Sequence, residues 1–258
     1  MQKVNTQDLS AKEAIITIKG LYKSFGELEV LKNVDLTVYK GENIAILGRS
    51  GSGKSVLIKI IAGLLKPDKG EVLVLEKEVD KLSGKELDAL RLRLGFSFQS
   101  SALYDSMSVY QNLAFPLTMN VKNLTKTQVD TAVQEALEAV GLEDKINELP
   151  ADLSGGQRKR LGIARTLILK PEIMLYDEPT SGLDPVTCAE INLLILEVQR
   201  RYKTSSVIIT HDLTCAKTTC GRVAILDDGK FLIVGKFKEV FELEDEKIKK
   251  FYDYNFIQ

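Results

Sequence analysis

Eight residues in the first quarter of the chain, GRSGSGKS from Gly48 to Ser55, have the types and spacing that hold phosphate. Glycines at 48, 51 and 53 free backbone N–H groups to turn inward around phosphate oxygens at the positive end of a following helix. Lys54 can then reach the outer phosphates of a nucleoside triphosphate, and the Ser55 hydroxyl can ligate Mg²⁺. Arg49, Ser50, Ser52 and Val56 stand among or beside these groups and belong to the same candidate site. The motif needs a strand before it and a helix after it. NIAILG supplies the first, and a pattern through Ile58, Ile61, Ala62 and Leu65 supplies the second. Such a loop alone leaves kinases, GTPases and motors open.

Further residues narrow the chemistry to hydrolysis. In IMLYDEPT four apolar residues carry Asp177 to the exposed end of a buried strand, where its carboxylate can hold Mg²⁺ opposite Ser55. Glu178, one residue on, points to the other side and can accept a proton from an attacking water. LSGGQ then places Ser154, Gly155, Gly156 and Gln157 at the start of RKRLGIARTLIL, a helix N-terminus with a hydroxyl and bare N–H groups. A second phosphate cradle in a chain with one nucleotide loop suggests that it closes on the nucleotide of another copy. His211, the only histidine, follows VIIT and precedes Asp212, as expected of a group at the carboxyl edge of a parallel sheet, where ligands bind.

The elements that must position these groups follow from hydrophobic period. AIITIKGLYKSFG and LEVLKNVDLTVYKGE alternate apolar and polar residues around Gly26 and predict antiparallel strands with one buried face. NIAILG, EIMLYD and SSVIIT are short continuous apolar runs, the mark of strands buried on both faces. LTKTQVDTAVQEALEAVG predicts the clearest helix, with a capping box from Thr125 to Gln128 and Gly141 as its stop. Strands alternating with helices imply an α/β core with a mainly parallel sheet.

In this order, GRSGSGKS, Gln99, LSGGQ, IMLYDE, SGLD and His211 resemble the nucleotide-binding subunit of an ABC transporter over roughly residues 14 to 241. The resemblance implies a P-loop NTPase core of the RecA type with an antiparallel β subdomain and an inserted helical subdomain, about residues 100–170. It places the ATPase domain at 1–241 and leaves 242–258 as a C-terminal helix and aromatic tail. It implies ATP and Mg²⁺ as cofactors and two copies facing head to tail, each ATP held between the P-loop of one and Ser154 of the other. Gln99 becomes the residue linking γ-phosphate and Mg²⁺ to the membrane partner. Ser181 to Asp184 form the loop that touches the opposite site, and His211 becomes the γ-phosphate switch. Phe25 sits where the family stacks an aromatic on adenine, with Tyr22 a weaker candidate. An integral-membrane permease is expected to dock near Tyr104 to Tyr110, keeping the chain at the cytoplasmic face of the plasma (inner) membrane. FSFQSSALYDSMSVYQNLAFPL is further similar to the ATPases of Mce-type lipid transporters, which implies phospholipid cargo and a lipid-binding Mce-type subunit; the Gln at position 157 departs from the Met common there. ATPases of other ABC transporters, for amino acids, lipoprotein release or drugs, are the alternative, followed by a non-transport ABC-type ATPase.

Bulk properties bound the rest. A net charge of −1 lacks the basic excess of a nucleic-acid binder, and Gln99 and Leu153 stand too close for the coiled coil that DNA-repair relatives insert between them. Three cysteines and one histidine form no zinc pattern and fit a reduced compartment. No apolar window approaches the ~18 to 20 residues that cross a bilayer. From Leu94 to Val121 the only charge is Asp105, although 28% of the chain is charged. Tyr104, Met107, Tyr110, Phe115 and Met119 give that stretch the composition of a partner surface, shared with packing of the lobe's own core. Arg158 to Arg160 open a helix against its dipole, so at most one is expected to serve nucleotide across the dimer, the others being solvated or reaching a partner. Glu242 to Gln258 predicts a short helix followed by aromatic residues that must dock on their own domain or on the neighbouring copy.

Overall fold

The computed structural model describes residues 12–243, 245, 246, 248 and 249. Period-2 alternation folds Ala14–Phe25 (β1) and Leu28–Tyr39 (β2) into an antiparallel pair that turns at Gly26, φ 61. Ile16, Ile18, Leu21, Val34, Leu36 and Val38 are its buried side. Asn43–Leu47 (β3) is buried at every residue, and Lys54–Ile61 (α1) follows it. Lys69–Val74 (β4) and the short Lys77–Glu78 (β5) complete a four-stranded sheet in the order β2-β1-β4-β5.

Gly84–Arg91 (α2) leads to Leu94–Ser97 (β6), a strand that opens the charge-poor stretch and that alternation had not announced. Three helices come next: Val109–Asn120 (α3), Lys126–Glu138 (α4) and Gly155–Leu167 (α5). The expected Thr125 and Gln128 capping box is formed on α4. Ile173–Asp177 (β7), Pro185–Tyr202 (α6), Ser205–Thr210 (β8) and Leu213–Thr219 (α7) are the predicted strand-to-helix units. Arg222–Asp227 (β9), Lys230–Lys236 (β10) and Phe237–Phe241 (α8) close the described chain.

The second sheet runs β10-β9-β3-β8-β7-β6, parallel except for β10 at one edge. Its strands divide their side chains between two cores. Ile44, Ile46, Ile173, Leu175, Val207 and Ile209 pack with α1 and the antiparallel sheet. Ala45, Leu47, Met174, Tyr176 and Ile208 pack with the helices on the opposite face. Each fully buried Ile or Leu contributes about 1.5–3 kcal/mol relative to exposure, so the sheet is held from both sides.

The charge-poor stretch serves two surfaces. Val109, Leu113 and Leu117 enter the helical core, whereas Tyr104 and Met119 are exposed and Phe115 is half-buried. Beyond α8, the Lys249 N–H donates to the Asp245 carbonyl at 2.9 Å, one helical bond of the expected C-terminal helix, and Ile248 is buried in the helical-side core. Phe251, Tyr252, Tyr254, Phe256 and Ile257, for which docking was expected, lie outside the described residues. Among the described residues no helix is long and apolar enough to cross a membrane.

Candidate active site

Strand register builds the site. Leu47 of β3 stands opposite Thr210 of β8, and Asp177 of β7 opposite Ile209. The residues that follow, Gly48, Glu178 and His211, therefore leave the sheet at one edge. There they border a cleft of about 690 Å³, lined also by Val30, Arg49, Ser50, Gly51, Gly53, Lys54, Ser55, Val56 and Gln99.

The loop from Gly48 to Ser55 needs two of its glycines for space. A Cβ at Gly48 would fall 2.4 Å from the Leu226 carbonyl oxygen, and one at Gly53, φ 102, would fall 2.9 Å from the Val30 carbonyl. Lys54 Nζ is buried and donates to the Gly48 and Arg49 carbonyls at 2.8 and 3.1 Å. Burial pulls its pKa down, partly offset by the Glu178 and Asp177 carboxylates. Ser52 Oγ is buried and has no hydrogen-bond partner among the described residues, an orphan donor within a phosphate-type loop.

Ser55 Oγ donates to Asp177 Oδ1 at 3.1 Å. Burial raises the Asp177 pKa against the Ser55 hydrogen bond, which lowers it. A hydroxyl and a desolvated carboxylate side by side are the hard oxygen donors that Mg²⁺ takes, so these residues fit the ion. Glu178 is held at φ 50, a conformation that non-glycine residues rarely adopt. Its N–H donates to the Ile209 carbonyl at 2.9 Å. The side chain turns to the cleft, with Oε2 2.9 Å from His211 Nδ1 and Oε1 3.8 Å from Lys54 Nζ. Gln99 Nε2 donates to Ser181 Oγ at 3.2 Å and so joins the two loops.

Other sequence candidates lie elsewhere. Ser154 caps α5, its Oγ accepting from the Gln157 N–H at 3.2 Å while Gln157 Oε1 accepts from the Ser154 N–H at 2.8 Å. Gly156 is packed under Thr187, whose Cγ2 would stand 2.5 Å from an added Cβ, and Gly155 lies beside Leu183. Asp184 caps α6 through the Val186 and Thr187 N–H groups, both at 3.0 Å, and its pKa is lowered by the Thr187 hydroxyl and these amides. Phe25 ends β1 half-exposed, with Lys23 Nζ 5.4 Å over its ring. Within one chain none of Phe25, Ser154, Gly155, Gly156, Gln157 and Asp184 lines the cleft.

The basic run, of which at most one cation was expected to serve nucleotide across a dimer, makes contacts within its own chain, with Arg158 exposed. Arg158 donates to the Leu153 carbonyl, and Arg160 to the Val140 carbonyl at 3.3 Å and to Glu190 at 2.6 Å. Lys159 donates to the carbonyls of Gln99 and Glu178. All three cations are thus engaged within their own chain, because the helix N-terminus is packed against loops whose carbonyls face it. Val30 was also missed: it reaches the cleft from β2 by register alone, and nothing in its neighbourhood in sequence announces that.

Residues 31–181 match the family described as ABC transporter. The chain belongs to the ABC transporter family. This cassette is 39% identical over 236 residues to the methionine import ATP-binding protein MetN of Clostridium tetani, covering 92% of this chain and 74% of that one. It is 42% identical over 225 residues to MetN 2 of Bacillus cereus, covering 87% and 66%. Among solved structures it is similar to cbiO1 of Clostridium perfringens, part of the transporter complex cbiONQ, with TM-score 0.83, 33% identity, and 95% and 97% of the two chains covered. The dimeric ATP-binding cassette MJ0796 bound to ADP and Pi gives TM-score 0.79 and 33% identity, with 86% and 98% covered. The cassette is an ATPase of an ABC transporter, binding ATP with Mg²⁺.

Proposed function

We propose that this cassette powers an importer for an amino acid of the methionine class, with Glu178 as the base that activates water. The observation that carries the catalytic reading is the alignment of three strand ends, which sets Glu178 2.9 Å from His211 Nδ1 and 3.8 Å from Lys54 Nζ at the cleft. Bound Mg²⁺ would supply neutralisation of phosphate charge, held by Ser55 and Asp177 with Gln99 beside it. Lys54 adds its ammonium to the same charge, and the inward N–H groups of residues 48–55 bind the phosphate oxygens. Glu178 orients water and takes its proton, while His211 holds the carboxylate in place from the exposed side.

Ser154 stands away from the cleft of its own chain, which supports the reading that it meets the nucleotide of a second copy. The dimeric state of the similar MJ0796 cassette supports the same reading. The permease is proposed to dock over Tyr104 to Tyr110 at the cytoplasmic face of the membrane. Cargo is supported by the relatives, which import methionine. The wording of Phe96 to Leu117 suggested phospholipid and an Mce-type subunit; the similarity to methionine-import ATP-binding proteins favours the amino-acid reading, which takes its place.

One experiment tests both halves: uptake of labelled methionine by cells that depend on this chain, with wild type and Glu178→Gln compared. The variant is expected to bind ATP, to lose hydrolysis by about 10²-fold or more, and to support no uptake. Wild-type turnover by the variant would overturn the role of Glu178, and methionine uptake unchanged by loss of the chain would overturn the cargo.

A further inference from the structure

One face of α5 runs along the loop that follows Gln99. Residues three apart on a helix share a face, and Lys159, Gly162 and Arg165 meet that loop in sequence. Lys159 Nζ donates to the Gln99 carbonyl. Gly162 packs under Ser101, whose Cβ stands 3.0 Å from where a glycine Cβ would be. Arg165 donates to the Ala102 carbonyl at 2.5 Å and lies 5.2 Å over the Tyr104 ring. Ser101 and Ala102 both hold positive φ, 62 and 48, a strained pair that needs such support. Lys159 alone also reaches the active site, donating to the Glu178 carbonyl at 3.3 Å. That carbonyl belongs to the residue held at φ 50.

The lysine is placed at a cost. It is half-buried, and a cation in this part of α5 opposes the helix dipole. Burial lowers its pKa, with the Glu178 and Asp177 carboxylates acting the other way. A neutral side chain would avoid both penalties, but the Gln99 carbonyl would lose its lysine donor and the Glu178 carbonyl would keep only the Ser181 N–H at 3.2 Å.

We propose that Lys159 is a positioning residue for hydrolysis: its ammonium ties the Gln99 backbone and the strained Glu178 backbone to the helix that carries Ser154. Movement of that helix is thereby felt at Glu178. This rests on the reading of Glu178 as the base.

The test compares Lys159→Met, Lys159→Arg, Glu178→Gln and the Lys159→Met/Glu178→Gln double variant in the full chain, with melting temperature and ATP affinity measured on each. Lys159→Met is expected to lower kcat about tenfold, the scale of a misplaced reacting group, with KM for ATP within about twofold of wild type. Lys159→Arg should recover most of the loss, since a second cation can reach the same carbonyls. In the Glu178→Gln background Lys159→Met should cost little more. Wild-type kcat for Lys159→Met would overturn the proposal, as would a loss appearing only in KM or one that Lys159→Arg leaves unrepaired. A full tenfold loss on top of Glu178→Gln would show that the lysine acts elsewhere. Wild-type turnover by Glu178→Gln would instead remove the base on which the proposal stands.

Discussion

Asp177 shows how a single residue of this site is set against the stability of the chain. Its folded pKa is raised, chiefly by burial, so ionisation at neutral pH costs folding free energy. That cost is present at pH values above the folded pKa and vanishes below the unfolded one, where the carboxyl is neutral in both states. Asp177→Asn keeps a group able to accept from Ser55. It is expected to melt higher than wild type at pH 7, with the difference shrinking towards pH 3, while Mg²⁺-dependent hydrolysis is lost. Melting curves at the two pH values check the sign. A lower melting point at pH 7 would contradict it. Residues of this kind were legible in sequence because the motif is local: Gly48, Lys54, Ser55, Asp177 and Glu178 are fixed by their immediate neighbours. The direction of Lys159 was not, because two carbonyls distant in sequence decide it.

At the scale of the element, α5 begins on a serine that caps it and that is proposed to meet the nucleotide of a second copy. The Ser154 hydroxyl closes a capping box with Gln157, and losing such a cap costs about 1 kcal/mol. Ser154→Ala should therefore lower the melting temperature as well as ATPase activity. Ser154→Asp separates the tasks, since aspartate also caps helices but would repel phosphate across a dimer. It is expected to melt like wild type and to hydrolyse poorly. Equal melting of the Ala and wild-type chains, measured by circular dichroism, would remove the capping role. The elements themselves were legible where period or caps were strong, as in β1, β2 and α4, or where a continuous apolar run stood out, as in β7. The four residues of β6 are too few to show a period, and its partner β7 makes it a strand.

For the whole molecule, the charge-poor stretch divides between core and surface, and the division is organised by Asn112. This residue is fully buried, accepts from the Tyr104 N–H at 2.9 Å, and donates to the Tyr104, Met107 and Ser108 carbonyls. It fixes the loop that leaves Tyr104 exposed, edge-on to Phe115 at 5.3 Å. Tyr110, by contrast, donates to Asp130 at 2.7 Å and ties α3 to α4. A docking surface is thus better probed at Tyr104 and Ser106 than at Tyr110. Tyr104→Glu and Ser106→Lys are expected to abolish co-purification with the membrane partner and leave ATP affinity unchanged. Retained association would place the dock elsewhere. That a helical lobe lies between β6 and β7 followed from the order of motifs, whereas the strand order did not, because pairing is non-local.

The same strand order governs how the chain acquires its site. β3, which presents the phosphate loop, is hydrogen-bonded to β8 and β9 and to no strand that precedes them in the chain. On a ribosome β3 therefore emerges long before its partner strands and before the helices that cover its Ala45 and Leu47, and loop closure over such a span is slow. The antiparallel sheet can form early from β1, β2 and β4, but the nucleotide pocket waits for the last third of the chain. A nascent cassette exposes an apolar strand for most of its synthesis, which makes that strand a natural client for a chaperone.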